Sequence, residues 1–170
     1  MFRKVSQGFE IIFYLCDGKH QNWLEMTIEI LHTTDNTSVG QIDALLHKLS
    51  PTASCVDAGR LKQLIEDADF TLFVARDDNG AIRGMLTLTA CQTLTYSKYW
   101  IEDVIVDECF RGQGAGRALV RAAVDFVKDH QTHPVIYLTS NPSRVSARTL
   151  YQSEGFEQYE TGVFRIRQDY

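Results

Sequence analysis

Cysteine, proline and positive charge are all scarce in this 170-residue sequence. The four cysteines stand singly, with no Cys-x-x-Cys pair and no histidine at zinc-ligand spacing, which argues against a disulfide framework and against a metal site. Reduced thiols are typical of a cytoplasmic protein. Acidic residues outnumber basic ones by 22 to 17, and the net charge of −5 excludes a positive field that would hold nucleic acid or an anionic membrane. A small-molecule or peptide partner is therefore expected.

Long hydrophobic runs are also missing. An apolar stretch near the N-terminus covers only residues 11–16 and is bounded by Glu10 and Asp17. It is too short for a signal peptide or a membrane span, so we expect neither export nor a membrane anchor. With 44% hydrophobic residues, the chain can bury one core without disulfides.

The apolar pattern predicts an alternation of strands and helices. Five segments have the β-branched, aromatic or alternating character of strands: residues 27–32, 70–77, 81–91, 99–106 and 135–139. Four helices are predicted at about residues 37–49, 57–67, 114–130 and 142–154. Asp35 or Thr37 can cap the first helix, Asn141 can cap the last with Pro142 at its first position, and Gly155 can end it. Residues 156–159 and 163–167 predict a final β-hairpin.

The third helix decides the fold class. Its apolar residues recur at steps of three and four and form one stripe: Ala115, Ala118, Leu119, Ala122, Ala123, Phe126 and Val127. A helix with such a stripe packs on a sheet, and its position between two strands predicts a parallel, right-handed crossover. The preceding strands read as an antiparallel meander. We therefore expect an α/β fold in which helices flank a central mixed sheet.

A glycine-rich segment stands between the fourth strand and this helix: Arg111-Gly112-Gln113-Gly114-Ala115-Gly116. Glycines let consecutive backbone N–H groups converge on an anion, and the helix N-terminus adds partial positive charge. The segment is neither a Gly-x-Gly-x-x-Gly fingerprint nor a Gly-Lys-Ser/Thr loop. It is interpreted as a pyrophosphate cradle, and a flexible turn is the alternative.

This segment resembles the coenzyme A loop of the GNAT superfamily of acetyl-CoA-dependent N-acetyltransferases, which reads Arg/Gln-x-x-Gly-x-Gly/Ala. Residues 141–156 resemble a second element of that family, with Ala-x-x-Leu-Tyr-x-x-x-Gly-Phe intact. With the strand order, the resemblance covers about residues 27–167. It implies the acyl-CoA N-acyltransferase fold, with acetyl-CoA as cosubstrate and an amine as acceptor.

The resemblance also assigns residues to the coenzyme. The backbone of Val104, Ile105 and Val106 would pair with the pantetheine arm in the manner of an added strand, although these residues can also be ordinary core. The further positions implied to contact coenzyme A are Arg111, Gly112, Gln113, Gly114, Ala115, Gly116, Arg117, Asn141 and Ser146.

Two residues are candidates for proton transfer. By spacing alone, Tyr151 is an ordinary core tyrosine on a helical face, but the resemblance implies that it protonates the departing thiolate of coenzyme A. In the fourth strand, Glu102 and Asp103 interrupt an apolar run, one on each face. We expect Glu102 to share its face with Val104 and Val106 and to act as the base; a glutamate hydrogen-bonded at a strand end is the alternative.

Cys109 precedes the glycine-rich segment, but no histidine has a recognisable relation to it, so it is interpreted as a spectator thiol. The five histidines show no metal spacing and are expected at the surface or at helix ends.

The expected function is N-acetylation of a primary amine on a small molecule or peptide, and a non-catalytic acyl-CoA-binding or regulatory module is the alternative. Residues 1–25 match no element of the fold and are expected to be an N-terminal extension, with residues 26–170 forming the N-acetyltransferase domain. The many aromatic and aliphatic side chains of this extension should pack against the first helices or across a homodimer contact.

Overall fold

The computed structural model describes residues 3–6, 9–16 and 23–166. In this part of the chain, seven strands form one sheet in chain order. They are β1 (Arg3–Ser6), β2 (Phe9–Cys16), β3 (Trp23–Ile30), β4 (Phe70–Arg76), β5 (Ile82–Gln92), β6 (Ser97–Val106) and β7 (Val135–Leu138). Neighbouring strands are antiparallel, except that β6 and β7 are parallel. The predicted mixed sheet is therefore confirmed.

Four α-helices accompany the sheet: α1 (Asn36–Leu49), α2 (Ala58–Ile65), α3 (Ala115–His130) and α4 (Val145–Ser153). Asp35 caps α1 by accepting the Ser38 N–H at 2.9 Å, as predicted. Asp57 caps α2 in the same way, accepting the Arg60 N–H at 2.8 Å. No helix in the described ranges is both long and apolar enough to cross a membrane.

The helices cover both faces of the sheet. On one face α3 and α4 pack over a core that includes Phe73, Leu86 and Ile101, while α1 and α2 pack over Val74, Met85 and other residues on the opposite face. The predicted stripe of α3 is confirmed: six of its seven residues are buried, and Phe126 packs against them partly buried. Helix α3 joins β6 to β7, so the predicted parallel crossover is confirmed.

Helix α4 begins later than the sequence predicts. The Asn141 side chain accepts the Ser143 N–H at 2.9 Å, and the Asn141 carbonyl accepts the Arg144 N–H at 2.9 Å. These bonds close a tight turn in which Asn141 satisfies the turn backbone instead of the helix, so the first helical residue is Val145. The predicted end is confirmed, because Gly155 follows α4 with a left-handed φ of 89°.

The predicted C-terminal hairpin is wrong over the residues described. Residues 156–166 form no strand, and Arg167, the last residue of the prediction, lies outside the described part. Apolar residues around a glycine turn do not suffice, because a strand also needs a partner for its N–H and C=O groups. Here Val163 and Phe164 are exposed, and the segment instead lies across the end of β7 and α4, where Tyr159 approaches Tyr137.

Strands β1 and β2 extend the sheet beyond β3. The register runs from Glu10 opposite Glu29 to Cys16 opposite Trp23, so the strand predicted from residue 27 begins at Trp23. The side chains of residues 1–24, and thus their predicted contacts with helices or a second copy, lie outside the described residues. The division into residues 1–25 and 26–170 stays a prediction.

Candidate active site

The glycine-rich loop is open where an anion would approach the backbone. Gly112 and Gly114 have positive φ angles of 75° and 97°, a conformation that glycine adopts without strain. A Cβ atom at Gly112 would meet nothing within 4 Å, so the space above the backbone is free. Gly114 is the N-cap residue of α3 and supplies no side-chain cap, which leaves the first-turn N–H groups to an external acceptor.

Neighbouring residues hold the loop in place. Gln113 donates from Nε2 to the Cys109 carbonyl at 2.8 Å, and Asp107 accepts the Cys109 N–H at 3.2 Å. A Cβ at Gly116 would lie 3.4 Å from Leu150, so this glycine lets α3 and α4 approach closely. The loop is thus fixed by its own backbone and by α4.

Among the residues that the structure describes, no strand pairs with the edge of β6 beside this loop. Its parallel pairing with β7 ends at Ile101 opposite Leu138, while β6 continues to Val106. Along that edge, Arg144 Nη2 donates to the Val104 carbonyl at 3.3 Å and Arg111 Nε donates to the Val106 carbonyl at 3.1 Å. Main-chain groups that no strand pairs can pair with an extended ligand.

A bulge in β6 changes the face on which Glu102 lies. Thr87 of β5 pairs with Glu102 and Met85 pairs with Ile105, so three steps along β6 match two along β5. Asp103, with φ 50°, takes up the extra residue. The alternation therefore resets, and Ile105 joins the α1–α2 core although Ile101 belongs to the α3 core.

The expectation that Glu102 shares a face with Val104 and Val106 is consequently wrong. Both valines pack on the α3 side of the sheet with Ile101. Because Glu102 follows Ile101 directly, its side chain lies on the opposite side of the sheet. The prediction assumed an unbroken period of two residues, which an inserted residue reverses. Glu102 and Asp103 are both exposed, and Thr87 Oγ1 donates to Asp103 Oδ2 at 3.2 Å.

Glu102 nevertheless has the electrostatics of a weak base. Although the residue is exposed as a whole, partial desolvation of the Glu102 carboxyl, followed by the adjacent charge of Asp103, raises its pKa above the ordinary value. Its proton affinity is therefore higher than that of an ordinary surface carboxylate.

Tyr151 is buried on α4, with only 5% of its surface exposed, and its ring lies edge-on to Phe156 at 6.2 Å. Burial raises the pKa of its hydroxyl, the Arg144 guanidinium lowers it, and the Glu102 carboxylate raises it. Within the described ranges, no side-chain or backbone group hydrogen-bonds this hydroxyl. The phenol is therefore protonated at neutral pH and available to donate.

Arg144 was not among the residues predicted for the site. It connects two of them, because its guanidinium contacts the Val104 carbonyl and its charge acts on Tyr151. Its distance of seven residues from Tyr151, two helical turns, is the sequence signal that could have indicated it.

A cavity of about 340 Å³ adjoins Tyr151. Trp100 and Tyr137 stack at 5.2 Å and form an aromatic wall, and Arg148 lines the cavity from α4. Polar side chains, among them Ser140, Gln152 and Glu157, complete the lining, so the cavity offers hydrogen-bonding groups beside an aromatic wall.

The other residues predicted to contact coenzyme A differ in their exposure. Asn141 and Ser146 are exposed, beside and on the first turn of α4, and Ala115 is buried at the start of α3. Arg117 is bound to α4 through Glu154 at 3.0 Å and Ser153 at 3.2 Å, so a contact with coenzyme A would have to replace these bonds. Cys109 is exposed.

The sequence and structure are similar to those of known acetyltransferases. A model of the acetyltransferase (GNAT) family matches residues 42–156, which is more than half of the chain. The chain belongs to the GNAT family of acetyltransferases. The human protein N-acetyltransferase 8B is 36% identical over 74 residues, which are 44% of this chain and 32% of that protein.

Solved structures agree in fold. An aminoglycoside acetyltransferase from an uncultured soil metagenomic sample, in complex with trehalose, superposes with a TM-score of 0.70 at 23% identity, covering 84% of this chain and 97% of that chain. An aminoglycoside N-acetyltransferase in complex with coenzyme A superposes with a TM-score of 0.68 at 16% identity, and the match covers 86% of this chain and 97% of that chain. At these sequence identities, the similarity to the two solved structures shows a shared fold.

Proposed function

We propose that this chain transfers the acetyl group of acetyl-CoA directly to a primary amine of a small molecule or peptide. The observation that carries the proposal is the combination of an open glycine loop at the uncapped N-terminus of α3 with the buried Tyr151, on which the charge of Arg144 acts while Arg144 contacts the Val104 carbonyl of β6. The first feature suits the pyrophosphate of an acyl-CoA, and the second suits a leaving thiolate.

Each residue has a defined part in the proposed reaction. Gly112, Gly114 and the first turn of α3 hold the pyrophosphate, and the carbonyl and N–H groups of β6 from Val104 to Val106 that no strand pairs hold the extended arm. For this, Arg144 and Arg111 have to release the Val104 and Val106 carbonyls that they bind at 3.3 and 3.1 Å.

Proton transfers complete the chemistry. Glu102, directly or through water, accepts a proton from the acceptor amine, whose nitrogen then bonds to the acetyl carbonyl carbon. The carbon–sulfur bond breaks, and Tyr151 donates its proton to the sulfur. Amide N–H groups near the end of β6 stabilise the negative charge on the carbonyl oxygen. The products are an N-acetyl amine and free coenzyme A.

An assay for release of free thiol from acetyl-CoA, run over a panel of amines, tests the proposal. The panel should include amino acids, polyamines, aminoglycosides, amino sugars and peptides, and calorimetry should measure acetyl-CoA binding in parallel. An amine-dependent release of thiol that Tyr151→Phe reduces supports the proposal. Tight binding without thiol release for any amine would instead identify an acyl-CoA-binding or regulatory module.

A further inference from the structure

A second cluster of reactive side chains lies on α1 and on the loop that follows it. Asp43, His47 and Cys55 each offer one ligand atom, and these three atoms lie within 4.8 Å of one another. The Cys55 Sγ atom is 3.9 Å from His47 Nε2. Asp43 and His47 are four residues apart on α1, so helical geometry puts them on one face, whereas Cys55 is brought there by the loop.

The hydrogen bonds of the cluster prepare it for a ligand. His47 Nδ1 lies 2.9 Å from the Asp43 carbonyl, which can only accept, so Nδ1 carries the proton and the Nε2 lone pair points towards Cys55. A histidine that donates one ring N–H to a carbonyl and offers its other nitrogen to a ligand is the arrangement found for metal-binding histidines. Here Nε2 contacts the Cys55 sulfur at 3.9 Å, and Asp43 Oδ1 lies 3.6 Å from Nδ1. Asp43 Oδ1 accepts the Val56 N–H at 2.8 Å and still has lone pairs to offer.

We propose that Asp43, His47 and Cys55 form a binding site for a zinc ion, with a fourth position open to water. Sulfur, imidazole nitrogen and carboxylate oxygen are all zinc ligands, and at ordinary bond lengths two of them on one tetrahedral ion are about 3.5 Å apart. The 3.9 Å between Cys55 and His47 needs a shift of only a few tenths of an ångström, and the widest pair of ligand atoms, which lie within 4.8 Å of each other, has to close by up to about 1.3 Å. Cys55 is exposed and can make that shift.

Binding exchanges one proton for the metal. The Cys55 thiol loses its proton to solvent as the zinc–sulfur bond forms, while His47 and Asp43 bind through lone pairs. The ion would join α1 to the loop between α1 and α2, adding to the bond from Val56 to Asp43. We therefore expect bound zinc to hold this loop more firmly against α1.

Titration of the metal-free full chain with Zn²⁺ alone, followed by calorimetry and thermal unfolding, tests the site. We expect one ion per chain and a rise in Tm, because a ligand that binds only the native state stabilises it. Cys55→Ser and His47→Gln should weaken zinc binding by at least about tenfold. Co²⁺ should give a thiolate-to-cobalt absorption band that Cys55→Ser removes.

Two matched variants serve as controls. Cys91 is also exposed, and His130 Nδ1 also lies close, at 2.7 Å, to the carbonyl four residues earlier, that of Phe126. Cys91→Ser and His130→Gln should bind zinc as the unchanged chain does. The absence of stoichiometric binding, or an equal loss in the controls, would overturn the proposal. Circular dichroism checks that each variant is folded.

Discussion

Glu102 on β6 and Tyr151 on α4 are electrostatic neighbours. Burial is the main reason why the pKa of the Tyr151 hydroxyl is raised, Arg144 opposes the shift, and the Glu102 carboxylate adds to it. The candidate acid therefore responds to the charge of the candidate base. A negative Glu102 favours the protonated phenol that a departing thiolate requires.

Tyr151→Phe removes the proposed proton donor and leaves the ring. We expect kcat to fall by about tenfold to a thousandfold while KM for acetyl-CoA hardly changes, because only the proton is lost. Steady-state kinetics measures both values. Tyr99→Phe, which removes the hydroxyl of another buried tyrosine, should leave kcat unchanged. Equal effects of the two variants would assign Tyr151 to the core, provided that acetyl transfer limits the rate.

Glu102→Gln should make the protein more stable at neutral pH. The pKa of Glu102 is raised in the folded state above 4.5, by partial burial first and by Asp103 second. The stability associated with its protonated form is present below the unfolded pKa and is lost as pH rises through the folded pKa. The variant avoids this loss, so its Tm should exceed that of the unchanged chain near pH 7 and match it below about pH 4. Thermal unfolding across this range tests the sign.

Glu102→Gln should also lower the rate most at low pH, where the acceptor amine is mainly protonated and a base is needed. Asp103→Asn is the matched control, since it removes the adjacent charge, and asparagine accepts the left-handed φ of 50° at this position. It should keep its activity. A rate loss in Glu102→Gln that is uniform over pH would indicate positioning and not base catalysis.

Gly112→Ala should weaken acetyl-CoA binding, because its Cβ would occupy the open space above the loop backbone. Gly80, in the turn between β4 and β5, is a close control: its φ is 76° against 75° for Gly112, and a Cβ at either position meets nothing within 4 Å. Both changes should cost about 1–2 kcal/mol of stability. Only Gly112→Ala should raise the Kd measured by calorimetry, and equal Kd values would exclude the loop as the pyrophosphate site.

A chain that begins at Met26 should fold and bind acetyl-CoA. Strand β3 is three places from β6 in the sheet, so loss of β1 and β2 leaves the loop and the free edge of β6 in place. It exposes the edge of β3, which favours association. Calorimetry and light scattering should show unchanged affinity and a changed oligomeric state or stability. A chain starting at Trp23 keeps all of β3 as a control, and loss of binding only in the shorter chain would place residues 23–25 in the domain.

Most of the fold follows from local sequence patterns. The stripe of α3, the caps at Asp35 and Asp57 and the left-handed Gly155 depend on contacts within a few residues, which the sequence displays directly. The predicted C-terminal hairpin did not form because a strand requires a partner edge, and the partner is not local.

The sequence by itself determined the order of elements around the glycine loop and the family resemblance of residues 141–156, since both rest on residue types at fixed spacing. Only the tertiary structure decided the face of Glu102, because one additional residue at Asp103 reverses the alternation and cannot be read from the apolar pattern. It also brought Arg144 to Val104 and Cys55 to His47. Those contacts depend on where a turn and a loop lead the chain, and their path is set by packing between elements distant in sequence.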